Sequence, residues 1–147
     1  MDFTGVSIQD IEKAGKIQTL KQHITTKEVM FFVNLKPTKL AIQLKEYLRD
    51  NPRAMINILT SIGKTNSGIV HQQKITWLVQ FFGDDASRIN FNYVLSSKDK
   101  AKFATADTLL IDDRKKALVP FAKAGGKVLK FNAKSDFQTN RIMNSII

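Results

Sequence analysis

The chain has 147 residues, 43% of them hydrophobic, and its 23 Lys and Arg outnumber 13 Asp and Glu to give a formal charge of +10. This length and apolar content are enough for one folded domain. The absence of cysteine excludes disulfides and thiolate metal sites, so any metal would be held by carboxylates. No apolar run approaches the roughly 18 residues of a membrane span, and we expect no membrane contact and an intracellular location.

The hydrophobic pattern alternates between helical and extended spacing along the chain. Helical spacing predicts helices at 6–20, 38–50, 71–82, 98–103, 114–124 and 135–147. Short apolar runs predict strands near 54–59, 89–95, 107–111 and 127–131. The apolar run 28–35 fits either a buried strand or a packed connector. Because each parallel connection needs a crossover, the repeated strand-then-helix order predicts an α/β fold with a mainly parallel sheet.

Polar residues stand at two of the predicted strand ends. Thr60 and Ser61 follow one strand, and Asp112 and Asp113 terminate another. Ligands of such sheets bind beyond the carboxyl ends of the strands. Hydroxyl and ammonium groups suit phosphoryl oxygens, and Mg²⁺ needs only one or two carboxylates beside a phosphate. The pattern therefore predicts phosphate and magnesium chemistry, although paired acids at a strand end also serve to cap the next helix.

Five segments carry a family resemblance. They are 58–61 (Ile-Leu-Thr-Ser), 74–78 with Phe82-Gly83, 97–104, 109–114 (Leu-Leu-Ile-Asp-Asp-Arg) and 124–126 (Ala-Gly-Gly). Their order resembles the haloacid dehalogenase superfamily, and most closely its small 5'(3')-deoxyribonucleotidase branch, which includes phage versions. The resemblance implies a three-layer sandwich with a Rossmann-like sheet, and a cytoplasmic protein of a bacterium or a phage-infected cell. It also implies one domain, 1–147, with 1–35 as a helical cap remnant and connector and 36–147 as the α/β core.

The same resemblance implies roles for individual residues. Thr60 and Ser61 would bind phosphate, Lys100 would be the lysine of the third motif, and Asp112 and Asp113 would be the acids of the fourth motif. At least one of these acids would ligate Mg²⁺, weakly. If the register slips, Lys98 or Lys102 would replace Lys100.

The family's first motif is not found in this sequence. That motif is an apolar strand ending in Asp-x-Asp, whose first Asp attacks phosphorus, and no two of the ten aspartates here are separated by a single intervening residue. We therefore predict that the chain has no catalytic nucleophile and begins just after the catalytic strand. The lost central strand would be replaced by the run 29–33, by closure of the flanking strands, or by a second chain.

Three functions follow from these observations. The favoured one is a catalytically degenerate phosphatase scaffold that binds a phosphate-bearing ligand such as a nucleotide, a nucleic acid, or an acidic protein partner. The second is a Mg²⁺-dependent nucleotidase completed by a separate N-terminal segment. The third is a basic nucleic-acid-binding module, because residues 51–147 hold 15 basic and 7 acidic side chains.

Overall fold

The computed structural model describes residues 30–132 together with Gln18, Lys21, Gln22, Thr25, Thr26 and Met143. Its helices are α1 (Lys39–Asp50), α2 (Ser67–Phe82) and α3 (Lys115–Lys123), and its strands are β1 (Ile56–Ser61), β2 (Ile89–Val94), β3 (Leu109–Asp112) and β4 (Lys127–Lys130). Short 3-10 helices cover Gly83–Arg88 and Ser97–Phe103. The predicted mixed α/β class is confirmed. Apart from Gln18 and Met143, the helices predicted at 6–20 and 135–147, and most of the cap remnant, lie outside the described residues.

The four strands form two small parallel sheets. β1 pairs with β2 from Ile56 opposite Ile89 to Ser61 opposite Val94. β3 pairs with β4 from Leu109 opposite Lys127 to Asp112 opposite Lys130. Within the described residues no ladder joins one sheet to the other. The parallel pairing agrees with the prediction from the strand-then-helix order, whereas the strands lie in two sheets and not in one.

Local signals set the ends of α1 and α2. The Thr38 hydroxyl caps α1 by accepting a hydrogen bond from the Ala41 N–H at 3.2 Å. At the other end of α1, the Arg88 guanidinium donates to the carbonyls of Leu48 and Asn51 and so satisfies acceptors that a helix end leaves free. Helix α2 ends at Gly83, whose φ of +57° is readily adopted only by glycine.

Two hydrophobic clusters lie on opposite sides of β1. The first contains Leu48 of α1 and Leu78 of α2, with Ile58 of β1 packed against it. The second is centred on β3 and α3, and it is contacted by Leu59, the next residue of β1. Since successive strand residues point to opposite faces, α2 covers one face of β1 while the α3 cluster meets the other.

Three predicted boundaries are corrected. β1 occupies 56–61 and not 54–59, because Thr60 and Ser61 continue the ladder opposite Tyr93 and Val94. Helix α2 begins at Ser67, four residues before the predicted start. The strand interpretation of 28–35 is wrong for its described part, since residues 31–34 form a turn closed by the Asn34 N–H and the Met30 carbonyl at 3.1 Å. Residues 30–34 therefore supply no replacement strand.

Candidate functional site

The polar residues predicted from the sequence stand at the carboxyl ends of β1 and β3. Thr60 and Ser61 are the last two residues of β1. Asp112 is the last residue of β3, and Asp113 follows it. Each of these two strand ends therefore carries groups that bind anions or cations.

Lys74 of α2 reaches over the end of β1. Its Nζ atom donates to the Thr60 hydroxyl oxygen at 2.8 Å and to the Ser61 carbonyl at 2.7 Å. The same ammonium lies 5.2 Å from the centroid of the Phe32 ring, within range of a cation–π interaction. One lysine thus joins a hydroxyl, a carbonyl and an aromatic ring at a single strand end.

The environment of Lys74 disfavours its positive charge. Burial, followed by repulsion from the ammonium of Lys100, lowers the pKa of Lys74 from 10.5 to about 8. Among the described carboxylates, none forms an ion pair with Lys74. A half-buried ammonium without an ion-pairing partner, near a second ammonium, is an arrangement that an added anion would stabilise.

Lys74 was not among the residues predicted from the sequence, although a signal for it exists. Val70, Leu78 and Phe82 are buried along one stripe of α2. Lys74 occupies the remaining position of that four-residue series, so its side chain must enter the interior with the others. A lysine at the core register of a helix is a pattern that sequence analysis can detect.

Lys100 lies on the 3-10 helix Ser97–Phe103 and forms a buried ion pair with Asp112. Its Nζ atom is 2.6 Å from Asp112 Oδ2, and the two side chains are only 10% and 8% exposed. The structure thereby distinguishes Lys100 from the two alternatives, since Lys98 and Lys102 are exposed. The charge of Lys100 is compensated by Asp112, and its predicted role in binding phosphate stays a prediction.

Asp112 and Asp113 have opposite electrostatic environments. Burial acts to raise the pKa of Asp112, but the hydrogen bond and charge of Lys100 and the Arg114 N–H, 3.0 Å from Oδ1, hold it below its usual value. Partial desolvation and the neighbouring Asp112 carboxylate raise the pKa of Asp113. The two acids therefore titrate as an unequal pair, of which Asp112 is the more acidic member.

The donor set fits a tightly bound metal poorly. Both oxygens of Asp112 already accept hydrogen bonds, from Lys100 and from the Arg114 N–H. Within the part of the chain that the structure describes, no group of three or more Asp, Glu or His side chains could hold a metal ion. Of these two acids, only Asp113 is exposed and can offer its carboxylate to a cation. A Mg²⁺ ion held there would take most of its six ligands from water or from a bound molecule.

These contacts define what we call the strand-end cluster: Thr60, Ser61, Lys74, Lys100, Asp112 and Asp113. The cluster is defined as the residues predicted from the sequence together with Lys74, and the repulsion between the ammonium groups of Lys74 and Lys100 is the interaction that relates the β1 end to the β3 end. Chemically, the cluster offers two hydroxyls, two ammonium groups and two carboxylates, of which that of Asp113 is exposed. It contains donors for a phosphate, and its carboxylates are the adjacent Asp112 and Asp113, with no Asp-x-Asp segment among them.

Comparison with protein-family models, with curated proteins and with solved structures finds no match for this chain. None of the described helices combines the length and the hydropathy that crossing a membrane requires.

Proposed function

We propose that this chain is a binding protein for a phosphate-bearing ligand, built on a catalytically degenerate scaffold of the haloacid dehalogenase type. The observation that carries the proposal is the half-buried Lys74 ammonium, which lies at a strand end beside a hydroxyl and near a second ammonium, and which has no ion-pairing carboxylate among the described residues. Phosphate oxygens would accept from Lys74 and Thr60, and the ligand would supply the missing negative charge.

The arrangement of the two sheets supports the same location. β1 pairs with β2 in one sheet and β3 pairs with β4 in the other, and the helices that connect each pair contact opposite faces of β1. We take the two sheets as halves of one doubly wound, three-layer arrangement with β1 and β3 innermost. In such arrangements, ligands bind where the strand order reverses, beyond the carboxyl ends of the inner strands. The strand-end cluster occupies that position.

Magnesium has a minor part in this proposal. Asp113, with Asp112 behind it, would hold Mg²⁺ weakly through one carboxylate and would leave the remaining positions to water or phosphate. The ligand's negative charge would be compensated mainly by Lys74, and we expect binding to persist after removal of divalent cations.

The experiment that tests the proposal is calorimetric titration with inorganic phosphate and with deoxyribose 5-phosphate. We expect salt-sensitive binding that falls at least tenfold in Lys74→Met. The matched control is Lys123→Met, which makes the same change at an exposed lysine in the last turn of α3. Equal losses in both variants would indicate a diffuse basic surface, and no binding of either phosphate would refute the proposal.

A second candidate function rests on the edges of β1 and β3. No ladder joins β1 to β3 among the described residues, and a strand from a separate N-terminal segment would fit between them and bring the catalytic Asp-x-Asp of a nucleotidase. Phosphatase activity with Mg²⁺ should then be absent from the purified chain and appear when a segment ending in Asp-x-Asp is co-expressed. Activity of the chain alone, abolished in Asp113→Asn, would contradict both candidates.

A further inference from the structure

We infer that the chain forms a homodimer in which the outer edge of β2 pairs with the same edge of a second copy. This interaction surface is not part of the strand-end cluster, and the inference does not depend on the proposed function. One edge of β2 is paired with β1, and no described residue pairs with the other edge. An unpaired strand edge presents N–H and C=O groups that serve as a template for another strand.

The backbone groups of Phe91 and Tyr93 point away from β1. The Val94 carbonyl accepts a hydrogen bond from the Ile62 N–H at 2.9 Å, so the backbone groups of Val94 face β1. Because this direction alternates along a strand, those of Asn92 also face β1. Phe91 and Tyr93 occupy the alternate positions, and their N–H and C=O groups therefore form the open edge.

Strand β2 has none of the features that keep natural strand edges unpaired. Its sequence, Ile-Asn-Phe-Asn-Tyr-Val, contains no proline and no charged residue, and its pairing with β1 runs without a bulge. β4 is the contrasting case, since it has only four residues and carries Lys127 and Lys130 at its two ends. Charge and short length therefore protect β4, while the edge of β2 is open to pairing.

The surface beside this edge is uncharged, although the chain as a whole carries a charge of +10. No residue from 89 to 97 is charged, and Lys74 is the only charged residue of α2. Helix α2 lies over β2, because His71 contacts both Phe91 and Tyr93. A nucleic acid or an acidic protein would select the basic parts of the surface. A second copy can instead place this neutral surface against itself without repulsion, which identifies the partner as the chain itself.

A twofold axis at Asn92 gives the antiparallel pairing that uses both outward-facing residues. Phe91 of each copy would exchange two hydrogen bonds with Tyr93 of the other, so four bonds would form around the axis. The same pairs place aromatic side chains opposite each other, which is a favourable cross-strand combination. Tyr93 and Leu95, which are 49% and 44% exposed, would be covered by the partner. Asn92 would lie opposite its own counterpart.

A cysteine at the axis tests this register directly. The two Cα atoms at position 92 would be about 4.5 Å apart, which is within the range of a disulfide. Because the chain has no cysteine, Asn92→Cys can form only an intermolecular disulfide. Oxidation with diamide should convert most of this variant into a covalent dimer. Asn90→Cys is the matched control: Asn90 is exposed, but it would lie opposite Val94 of the second copy, and this variant should cross-link at least about tenfold more slowly.

The oligomeric state of the unmodified chain is the second measurement. Sedimentation equilibrium should show a dimer at roughly 10–100 μM, and a monomer throughout this range would refute the inference. Asn92→Lys places two like charges at the axis and should weaken the dimer at least about tenfold, whereas an equimolar mixture with Asn92→Asp should dimerise again.

Asn57→Lys is the control for the charge variants, because Asn57 is exposed on the same face of the sheet but lies in β1, away from the open edge. It should leave the dimer intact. A dimer that is equally stable in Asn92→Lys, or equal cross-linking of the two cysteine variants, would assign dimerisation to another surface and overturn the pairing of β2. The cross-linking comparison decides the question even if Asn92→Lys does not fold.

Discussion

The Nζ atom of Lys74 lies 2.8 Å from the hydroxyl oxygen of Thr60, so a lysine from the middle of α2 is fixed to the end of a neighbouring strand. The position is unfavourable for a cation, since burial and Lys100 both lower the pKa of Lys74. Such perturbed groups at strand ends are more typical of binding and catalytic sites than of structural positions. The following predictions concern this lysine and the residues that support it.

The first prediction concerns stability and pH. The pKa of Lys74 is about 8 in the folded chain and 10.5 when unperturbed. Below pH 8, keeping this lysine charged in the folded chain therefore lowers the free energy of unfolding by about 3 kcal/mol. Between those two values the unfolded chain binds more protons, and stability should rise with pH. From pH 7 to 9.5 this contribution amounts to about 2 kcal/mol. We expect denaturant titrations to show that gain in the unmodified chain and in Lys123→Met, but not in Lys74→Met; a gain that persists in Lys74→Met would contradict the assignment.

Much of this architecture can be read from the sequence, because local signals determine it. The hydroxyl of Thr38, the glycine at 83 and the apolar runs at 89–94 and 109–111 fix their elements within a few residues. The end of β1 is different. Thr60 and Ser61 are residue types that are common in turns. They belong to β1 because they pair with Tyr93 and Val94 of β2. Strand ends depend on pairing across the sheet, which a local pattern does not record.

The site was predictable in its residue types but not in its connections. Thr60, Asp112 and Asp113 stand at strand ends in the order of the chain, and that order is visible in the sequence. The partner of Asp112 is not visible there, because Lys98, Lys100 and Lys102 alternate along one short segment. The geometry of the 3-10 helix turns only Lys100 inward. Charge compensation between distant residues follows from the tertiary fold.

A second prediction concerns the ion pair of Lys100 and Asp112. Removing the lysine alone, in Lys100→Met, leaves a carboxylate that is 8% exposed without its partner and should cost about 3–5 kcal/mol. The double variant Lys100→Met with Asp112→Asn should recover most of that loss, because no unpaired charge remains. Denaturant unfolding of the two single variants and the double variant measures the coupling.

Lys102→Met is the control, at an exposed lysine 4.0 Å from Asp99, and it should change the free energy of unfolding by less than about 0.5 kcal/mol. Additive losses in the double variant would refute the pairing.

A third prediction concerns the turn between α3 and β4. A Cβ atom added at Gly126 would lie 2.2 Å from Cε1 of Phe121, a ring that is 2% exposed in the second core cluster. Gly126→Ala should therefore destabilise the chain by about 1–3 kcal/mol. Gly68 in the first turn of α2 has open space around its Cα atom, and Gly68→Ala should be neutral or stabilising by up to about 1 kcal/mol. Thermal unfolding compares the two variants, and equal midpoints would show that Phe121 moves aside freely.

The last prediction joins the electrostatics of Lys74 to the proposed phosphate site. The lysine binds an anion well only while it is protonated, and its pKa of about 8 places the loss of charge just above neutral pH. Phosphate monoesters are already fully ionised there, since their second pKa is about 6. Affinity for deoxyribose 5-phosphate should therefore stay level up to about pH 8, the pKa of Lys74 in the free chain, and should then fall by about tenfold per pH unit until the pH reaches the pKa of Lys74 in the complex, which the bound anion raises.

Lys74→Met provides the control for this profile. It should bind weakly at neutral pH and show no further decline between pH 8 and 10, because the titrating group is gone. In Lys123→Met the decline should remain, since that exposed lysine lies outside the strand-end cluster. Calorimetric titration across this pH range, at constant ionic strength, measures both variants. A decline of equal steepness in Lys74→Met would assign the pH dependence to the general basic charge of the surface, because exposed lysines would then be the groups that lose their protons.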